Sequence, residues 1–210
     1  MRDQRHDFRD ALAAHAEAFG VRLGEAQERR LADYFEMLGR WNERLHLVAP
    51  CAPAEFAVRH VLESLFALEH IPAGSSLADV GSGGGLPAVP CLVARGALRA
   101  TLYEASAKKT VFLREAAGAL GLKDVARIIN ARFEETTPPQ VNAVTCRALE
   151  HFAEMLPRLV EWSPKGARLL LFGGAALREA IEREGLSFTP VHIPESERRF
   201  LFVVGQNRLR

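Results

Sequence analysis

A glycine-rich segment at residues 79–85 has a pattern of residue types that could carry chemistry. Asp79, Gly81, Gly83 and Gly85 form the motif acid-x-Gly-x-Gly-x-Gly at the end of the strand-like run LADV (77–80). Glycine lets the backbone turn sharply and approach a ligand closely, and ligands of parallel sheets bind at the carboxyl ends of the strands. The motif therefore predicts a turn that binds a cofactor.

A carboxylate, Glu104, stands at the end of the next predicted strand, where it can accept hydrogen bonds from both hydroxyls of a ribose. NAD and S-adenosylmethionine both present such a ribose. A dinucleotide fingerprint counted from Gly81 would need glycine or alanine where Leu86 stands. Asp79 followed by three alternating glycines favours the methyl donor S-adenosylmethionine, and a dehydrogenase is the less favoured alternative.

Hydrophobic periodicity predicts the elements that position this motif. Apolar residues at spacings of three and four predict amino-terminal helices at about 25–44 and 53–70. From residue 75 onward, short apolar runs alternate with helical segments, which is typical of a parallel sheet covered by helices. The predicted strands are 77–80, 100–103, 126–129, 142–146 and 167–172, and the predicted helices are 86–95, 108–121, 149–162 and 175–184. The last two apolar runs, 187–193 and 200–205, predict a terminal antiparallel hairpin.

These elements predict an α/β fold. It is a Rossmann-like sheet of the S-adenosylmethionine-dependent methyltransferase type, with a terminal antiparallel hairpin and an amino-terminal helical extension. We expect residues 1–72 to form the extension and residues 73–210 to form the methyltransferase domain.

Composition narrows the environment in which the protein works. The 210 residues carry a net charge of +1, and the three cysteines form no C-x-x-C motif. The chain has no apolar run long enough to cross a membrane, and its first residues do not form a signal peptide. We therefore expect a cytoplasmic protein with no membrane segment, no metal and no wholly basic nucleic-acid-binding surface.

Several longer motifs resemble one family, the small-subunit ribosomal RNA guanine-N7 methyltransferases, also called glucose-inhibited division protein B. The motifs are WNERLHL (41–47), RHVLESL (59–65), LADVGSGGGLPAVP (77–90), the Lys108-Lys109 pair, NARFEE (130–135) and CRAL (146–149). The resemblance implies transfer of a methyl group from S-adenosylmethionine to N7 of a guanine, with 16S ribosomal RNA or the small ribosomal subunit as partner. We expect a monomer. A methyltransferase of a small molecule or a protein, and a noncatalytic module that binds the donor, are the alternatives.

Topology and resemblance together suggest the residues of the site. Arg132 and Arg147 follow the third and fourth predicted strands, at the sheet edge that binds ligands. The resemblance implies that both are catalytic residues that help hold the cofactor and the target guanine, and a surface ion pair is the alternative for either. The predicted cofactor-binding residues are Gly81, Gly83, Gly85, Glu104, Phe133 and Glu134 near the adenine, and Asp79, which orients the turn or meets the methionine amine.

Three further residues are predicted to bind the substrate. Lys108 opens the helix after the second strand, where a cation opposes the helix dipole and a role facing phosphate is favoured. Arg59 and His60 are expected to line the same cleft from the amino-terminal helices. A hydrogen-bonded structural histidine is the equal alternative for His60.

Methylation of guanine N7 needs no general base, because N7 already carries a free lone pair, so the enzyme has to align the reacting atoms and exclude water. The chain departs from the family pattern at several positions. His46 and Glu63 replace an asparagine and an aspartate, and Phe172 replaces a lysine at the end of the fifth strand. Phe172 is predicted to pack beneath the pocket or to stack on the guanine, with Arg147 or Lys108 supplying the missing charge.

Overall fold

The computed structural model describes residues 3–147 and 152–208 and begins with two helices. They are α1 (Gln4–His15) and α2 (Glu25–Leu45). The Asp3 side chain caps α1 by accepting a hydrogen bond from the Arg5 backbone N–H. Helix α2 buries Leu31, Tyr34 and Leu38 on one face, so the apolar spacing that predicted this helix also sets its packing. The sequence analysis did not predict α1.

The second helical stretch changes its hydrogen-bonding pattern along its length. It consists of α3 (Pro53–Phe56), a π-helical segment (Ala57–Leu62), α4 (Glu63–Phe66) and a 3₁₀ turn (Ala67–His70). In the π-helical segment the Glu63 N–H bonds to the Val58 carbonyl, five residues back. Short π segments inside helices are frequent at functional sites.

A seven-stranded sheet forms the centre of the molecule, in the order β3-β2-β1-β4-β5-β7-β6. Its strands are β1 (Ser76–Val80), β2 (Arg99–Tyr103), β3 (Ala126–Ile129), β4 (Ala143–Arg147), β5 (Arg168–Gly173), β6 (Leu186–His192) and β7 (Phe200–Arg208). Strands β1 to β5 pair in parallel, and β7 pairs antiparallel with both β5 and β6. This order confirms the predicted α/β sheet with its terminal antiparallel hairpin.

Helices cover both faces of the sheet. They are α5 (Ala88–Ala94), α6 (Ala107–Ala119), α7 (Phe152–Trp162) and α8 (Ala175–Arg183). The predicted start of α7 at residues 149–151 lies outside the described residues. Of the helices in the described part of the chain, none is both long and apolar enough to cross a membrane.

The alternation of side chains along the strands separates two apolar cores. In β5, Leu170 and Phe172 belong to the core that contains α1, α2, α5 and α6, while Leu169 and Leu171 belong to the core beneath α7 and α8. Phe8 of α1 and Tyr34 of α2 are buried in the first core. The amino-terminal helices therefore pack directly on one face of the sheet and form a wall beside its carboxyl edge.

Candidate active site

The glycine motif forms a tight turn between β1 and α5. Gly81, Gly83 and Gly85 have φ angles of 69°, 52° and 87°, in the left-handed region that favours glycine. A Cβ added at Gly85 would lie 2.6 Å from Cγ2 of Val89, whereas a Cβ at Gly83 would meet nothing closer than 3.8 Å. Gly85 thus permits close packing of the turn on α5, and Gly83 leaves open space for a ligand.

Helix α2 braces the same turn from the amino-terminal side. The Tyr34 hydroxyl donates a hydrogen bond to the Gly84 carbonyl, and Tyr34 is fully buried. Burial raises the pKa of the Tyr34 phenol, so Tyr34 stays a donor at any physiological pH. Helix α2 therefore holds the turn as well as covering the sheet.

The Glu104 carboxylate is fixed beside the turn at the end of β2. Its Oε2 accepts a hydrogen bond from the Gly83 N–H at 2.8 Å, and its Oε1 accepts one from the Ser106 N–H at 2.8 Å. The residue is only 8% exposed. Each oxygen retains a further lone pair, so the carboxylate can accept additional hydrogen bonds from a ligand without moving.

Asp79 lies beneath the turn and is fully buried. Its Oδ1 accepts a hydrogen bond from the Thr145 hydroxyl at 2.7 Å, while its buried Oδ2 has no partner among the described residues. Burial raises the pKa of the Asp79 carboxyl to about 7, against the opposing effect of the Thr145 hydrogen bond. Asp79 does not line the pocket, and its backbone carbonyl accepts a hydrogen bond from Ser82 in the turn.

A cavity of about 960 Å³ opens at the carboxyl ends of β1, β2 and β4. The predicted site residues that line it are His60, Gly81, Gly83, Glu104, Arg132, Phe133, Glu134 and Arg147. The remaining predicted residues, Arg59, Asp79, Gly85 and Lys108, are not part of its lining. The sequence analysis missed the segment 46–50, Lys109 and Met155, which also form its wall.

Two predicted substrate residues stay outside the cavity for simple geometric reasons. Lys108 is exposed on the first turn of α6, and its neighbour Lys109 lines the cavity because successive helical residues point about 100° apart. The Arg59 side chain forms an ion pair with Glu55, one helical turn earlier. Arg59 contributes only its backbone carbonyl to the residues around the cavity.

Arg147, at the end of β4, is the most heavily engaged arginine of the cavity wall. Its Nη2 donates to the Arg59 carbonyl at 2.6 Å and lies 3.3 Å from both His60 Nδ1 and Glu63 Oε2. Its Nη1 is buried and has no partner among the described residues. Burial lowers the pKa of Arg147, and the Glu63 carboxylate opposes that effect.

Phe172 packs directly beneath this guanidinium. The Arg147 Cζ lies 5.7 Å from the centre of the Phe172 ring, within range for a cation–π contact. Phe172 is 7% exposed and does not line the cavity. Of the two predicted positions for Phe172, the structure shows packing beneath the pocket wall, with Arg147 as the neighbouring cation.

Glu63 is the buried counter-charge of this wall. It is 2% exposed and forms ion pairs with Arg147 at 3.3 Å and with Arg199 Nη2 at 2.6 Å. Burial raises the pKa of Glu63 against the pull of the two arginines. Arg199 comes from the loop between β6 and β7, so this ion pair joins the terminal hairpin to α4.

His60 lies in the π-helical segment and faces the cavity. Burial lowers the pKa of His60 to about 3, and the nearby Arg147, Arg59 and Arg199 lower it further in the same direction. The imidazole is therefore neutral at physiological pH. The sequence left two roles open for His60, a wall residue of the cleft or a hydrogen-bonded structural histidine. The structure shows features of both, because His60 lies within hydrogen-bond distance of Arg147 and also lines the cavity.

In residues 3–147 and 152–208, no group of three or more His, Cys, Asp or Glu side chains is arranged to hold a metal ion. Cys91 and Cys146 are buried, and Cys51 is half-buried, as free thiols. Burial raises the pKa of Cys91, whose Sγ donates to the Ser64 carbonyl at 3.2 Å.

The sheet order, the glycine turn after β1 and the carboxylate after β2 define the Rossmann-like fold of S-adenosylmethionine-dependent methyltransferases. Solved structures share this fold. An RNA methyltransferase from Salinibacter ruber in complex with S-adenosyl-L-homocysteine superposes with a TM-score of 0.58 at 18% sequence identity, covering 78% of this chain and 97% of that chain.

Sequence comparison identifies the particular family. The family model "GidB: rRNA small subunit methyltransferase G" matches residues 27–196. The ribosomal RNA small subunit methyltransferase G of Neisseria gonorrhoeae (strain NCCP11945) is 37% identical over 166 residues, covering 79% of this chain and 76% of that protein. The protein of the same name from Anaeromyxobacter dehalogenans is 36% identical over 184 residues, covering 85% and 82%.

This chain belongs to the rRNA small subunit methyltransferase G family. The membership confirms the family that the motifs resembled, the enzyme class and S-adenosylmethionine as the methyl donor.

Proposed function

We propose that the chain transfers the methyl group of S-adenosylmethionine to N7 of a guanine in 16S ribosomal RNA, as a cytoplasmic monomer. The observation that carries the proposal is the shared cavity of about 960 Å³, onto which the glycine turn and Glu104 open on one side and His60 and Arg147 on the other. Pockets for a single small ligand occupy roughly 300–1,000 Å³. A cavity at the upper end of that range suits a donor together with an RNA base.

The residues present fit the methyl donor. Gly83 leaves room for close approach, and the fixed Glu104 carboxylate accepts the ribose hydroxyls. Phe133 and Glu134 flank the adenine, and Gly81 and Gly85 shape the turn. In this assignment Asp79 orients the turn from below, through Ser82 and Thr145.

The chemistry makes few demands on the protein. When bound, S-adenosylmethionine supplies an electrophilic methyl group on a sulfonium, and the N7 lone pair displaces the neutral thioether. No proton is removed, so no general base is required. The chain contributes alignment and the exclusion of water, and correct alignment of reacting groups is a large source of rate enhancement.

In this proposal two arginines contact the target guanine and the phosphate beside it, and two other cations contact RNA phosphates elsewhere. Arg147 and Arg132 line the cavity and hold the guanine and its flanking phosphate as catalytic residues. Lys108 and Arg59 lie outside the cavity, and we assign them to RNA phosphates beyond its mouth. We also propose that residues 1–72 act as an extension that presents His60 to the methyltransferase domain, residues 73–210.

A methyl-transfer assay with purified protein tests the function. The protein, radiolabelled S-adenosylmethionine and small ribosomal subunits from cells lacking the gene should yield label in 16S ribosomal RNA, released by nuclease digestion as 7-methylguanosine. Calorimetry should show binding of S-adenosylhomocysteine and none of NADH. Donor binding without label in any RNA would instead support a binding module or a different methyl acceptor.

A further inference from the structure

We propose that His60 donates a hydrogen bond from Nε2 to O6 of the target guanine and so selects guanine over adenine. The inference rests on the proposed function and deepens it. It assigns the specificity of the site to one neutral imidazole, held in a single tautomer by Arg147.

The contact with Arg147 favours one tautomer of His60. The Arg147 Nη2 lies 3.3 Å from His60 Nδ1. A guanidinium has only donors, so the tautomer that lets Nδ1 accept from it carries the proton on Nε2, and we assign that tautomer to His60. The same Nη2 donates to the Arg59 carbonyl at 2.6 Å, which fixes the guanidinium against the backbone next to His60.

The ring itself is held in place by its surroundings. Phe56 packs against it with ring centres 5.0 Å apart, and Ser64 donates its hydroxyl to the His60 carbonyl. Among the described residues none forms a hydrogen bond with Nε2, and His60 lines the cavity. A fixed donor without a protein partner is therefore present at the wall of the site.

Burial and neighbouring charge keep the His60 imidazole neutral across the working pH range. Burial and the arginines at positions 147, 59 and 199 hold the pKa of His60 at about 3. A neutral imidazole offers one donor and one acceptor, and the acceptor is already used by Arg147. His60 consequently presents a donor, with no net charge, to whatever enters the cavity.

A hydrogen-bond donor at this position can distinguish guanine from adenine. Guanine presents N7 and O6 as adjacent acceptors, while adenine presents N7 beside the N6 amino donor. N7 must stay free to attack the methyl group, so O6 is the neighbouring atom available for recognition. A donor matches guanine O6, and the same donor would oppose the amino group of adenine, leaving two buried donors unpaired.

Substrates that lack O6 provide the test. Small subunits are reconstituted with either guanine or 2-aminopurine, which keeps N7 but has hydrogen in place of O6, at the methylated position. The wild-type protein should prefer guanine by about tenfold to a hundredfold in kcat/KM, the usual range for losing one matched polar contact. Because the preference is a ratio for one protein, a change that affects both substrates equally, such as altered donor binding or partial unfolding, cancels.

Three variants complete the experiment. In His60→Phe, which keeps a flat ring against Phe56, the preference for guanine should fall to about threefold or less. His60→Gln keeps a donor near the position of Nε2 and should retain a preference above that of His60→Phe. His6→Gln, on the exposed face of α1, should behave as wild type. Calorimetric affinity for S-adenosylhomocysteine should be unchanged in all of them, which shows that they are folded.

The outcomes separate the inference from the proposed function. If wild type methylates guanine and His60→Phe retains the full preference over 2-aminopurine, the assignment of His60 is overturned and the proposed function stands. Nitrogen NMR of the free protein showing the proton of His60 on Nδ1 would also overturn it. If wild type transfers no methyl group to the guanine substrate, the proposed function fails and the inference falls with it.

Discussion

Asp79→Asn should remove a pH dependence of stability that comes from burying an ionisable group. The Asp79 carboxyl is fully buried, and burial raises its pKa from 3.8 to about 7. Between these values the folded protein holds a proton that the unfolded chain has lost, so stability falls as pH rises. At about 1.4 kcal/mol per pH unit, the wild type should lose about 4 kcal/mol between about pH 4 and pH 7 on account of this group.

The variant keeps the shape of the site. Asparagine retains an oxygen that accepts from Thr145, and its amide nitrogen replaces the oxygen that has no partner. Any cost of that unpaired amide is the same at every pH, so it does not affect the slope. Below about pH 4 the favourable contribution of the protonated Asp79 is fully present, and above about pH 7 it is lost.

Urea unfolding followed by circular dichroism from about pH 4.5 to pH 8 measures this difference. The free energy of unfolding of the variant minus that of wild type should increase with pH over this range. Glu63 and His60 titrate in both proteins, so their contributions cancel in the difference. Asp124→Asn, at an exposed position, is the matched control and should give a flat difference. A flat difference for Asp79→Asn would refute the reasoning.

Three more predictions concern the walls of the cavity. Glu104→Gln should weaken binding of S-adenosylhomocysteine by about 1–3 kcal/mol in calorimetry, because an amide accepts hydrogen bonds from the turn and the ribose less well than a carboxylate does. Glu115→Gln, on the exposed face of α6, should leave the affinity unchanged. Equal affinities of Glu104→Gln and wild type would contradict the ribose contact. Glu63→Gln should lower the free energy of unfolding by about 3 kcal/mol or more. Glu55→Gln, at a side chain that is 40% exposed, should lower it by about 0.5 kcal/mol or less, and equal losses would contradict the buried network. Arg132→Ala should lower kcat/KM on small subunits by about tenfold or more without changing the melting temperature, and normal methylation by the folded variant would contradict its assignment.

Local sequence signals predicted that the glycine turn and Glu104 lie together at the sheet edge. Glycines in alternation, an acid before them and a carboxylate after the next strand are all short-range features, and the parallel sheet brings them to one edge. Strand and helix periodicity likewise predicted the order of elements. The π-helical segment 57–62 gave no periodic signal, because one wider turn hardly changes an apolar pattern.

The sequence analysis did not predict ion pairs between residues that lie far apart in the chain. Glu63 meets Arg199, and that pairing depends on how the terminal hairpin folds back toward α4. One signal was available, since Glu63 interrupts an apolar run and a charge in such a run is either exposed or paired. The sequence analysis also did not predict that Lys109, and not Lys108, lines the cavity, because Ser106 caps α6 and the position of that cap sets which lysine faces the cavity.

The central claim is most directly tested by mapping modified nucleosides in cells with and without the gene. Mass spectrometry of 16S ribosomal RNA digests should show one 7-methylguanosine that disappears when the gene is deleted. Returning the wild-type gene should restore it, and returning the Glu104→Gln variant should restore less. An unchanged 7-methylguanosine content after deletion would contradict the account.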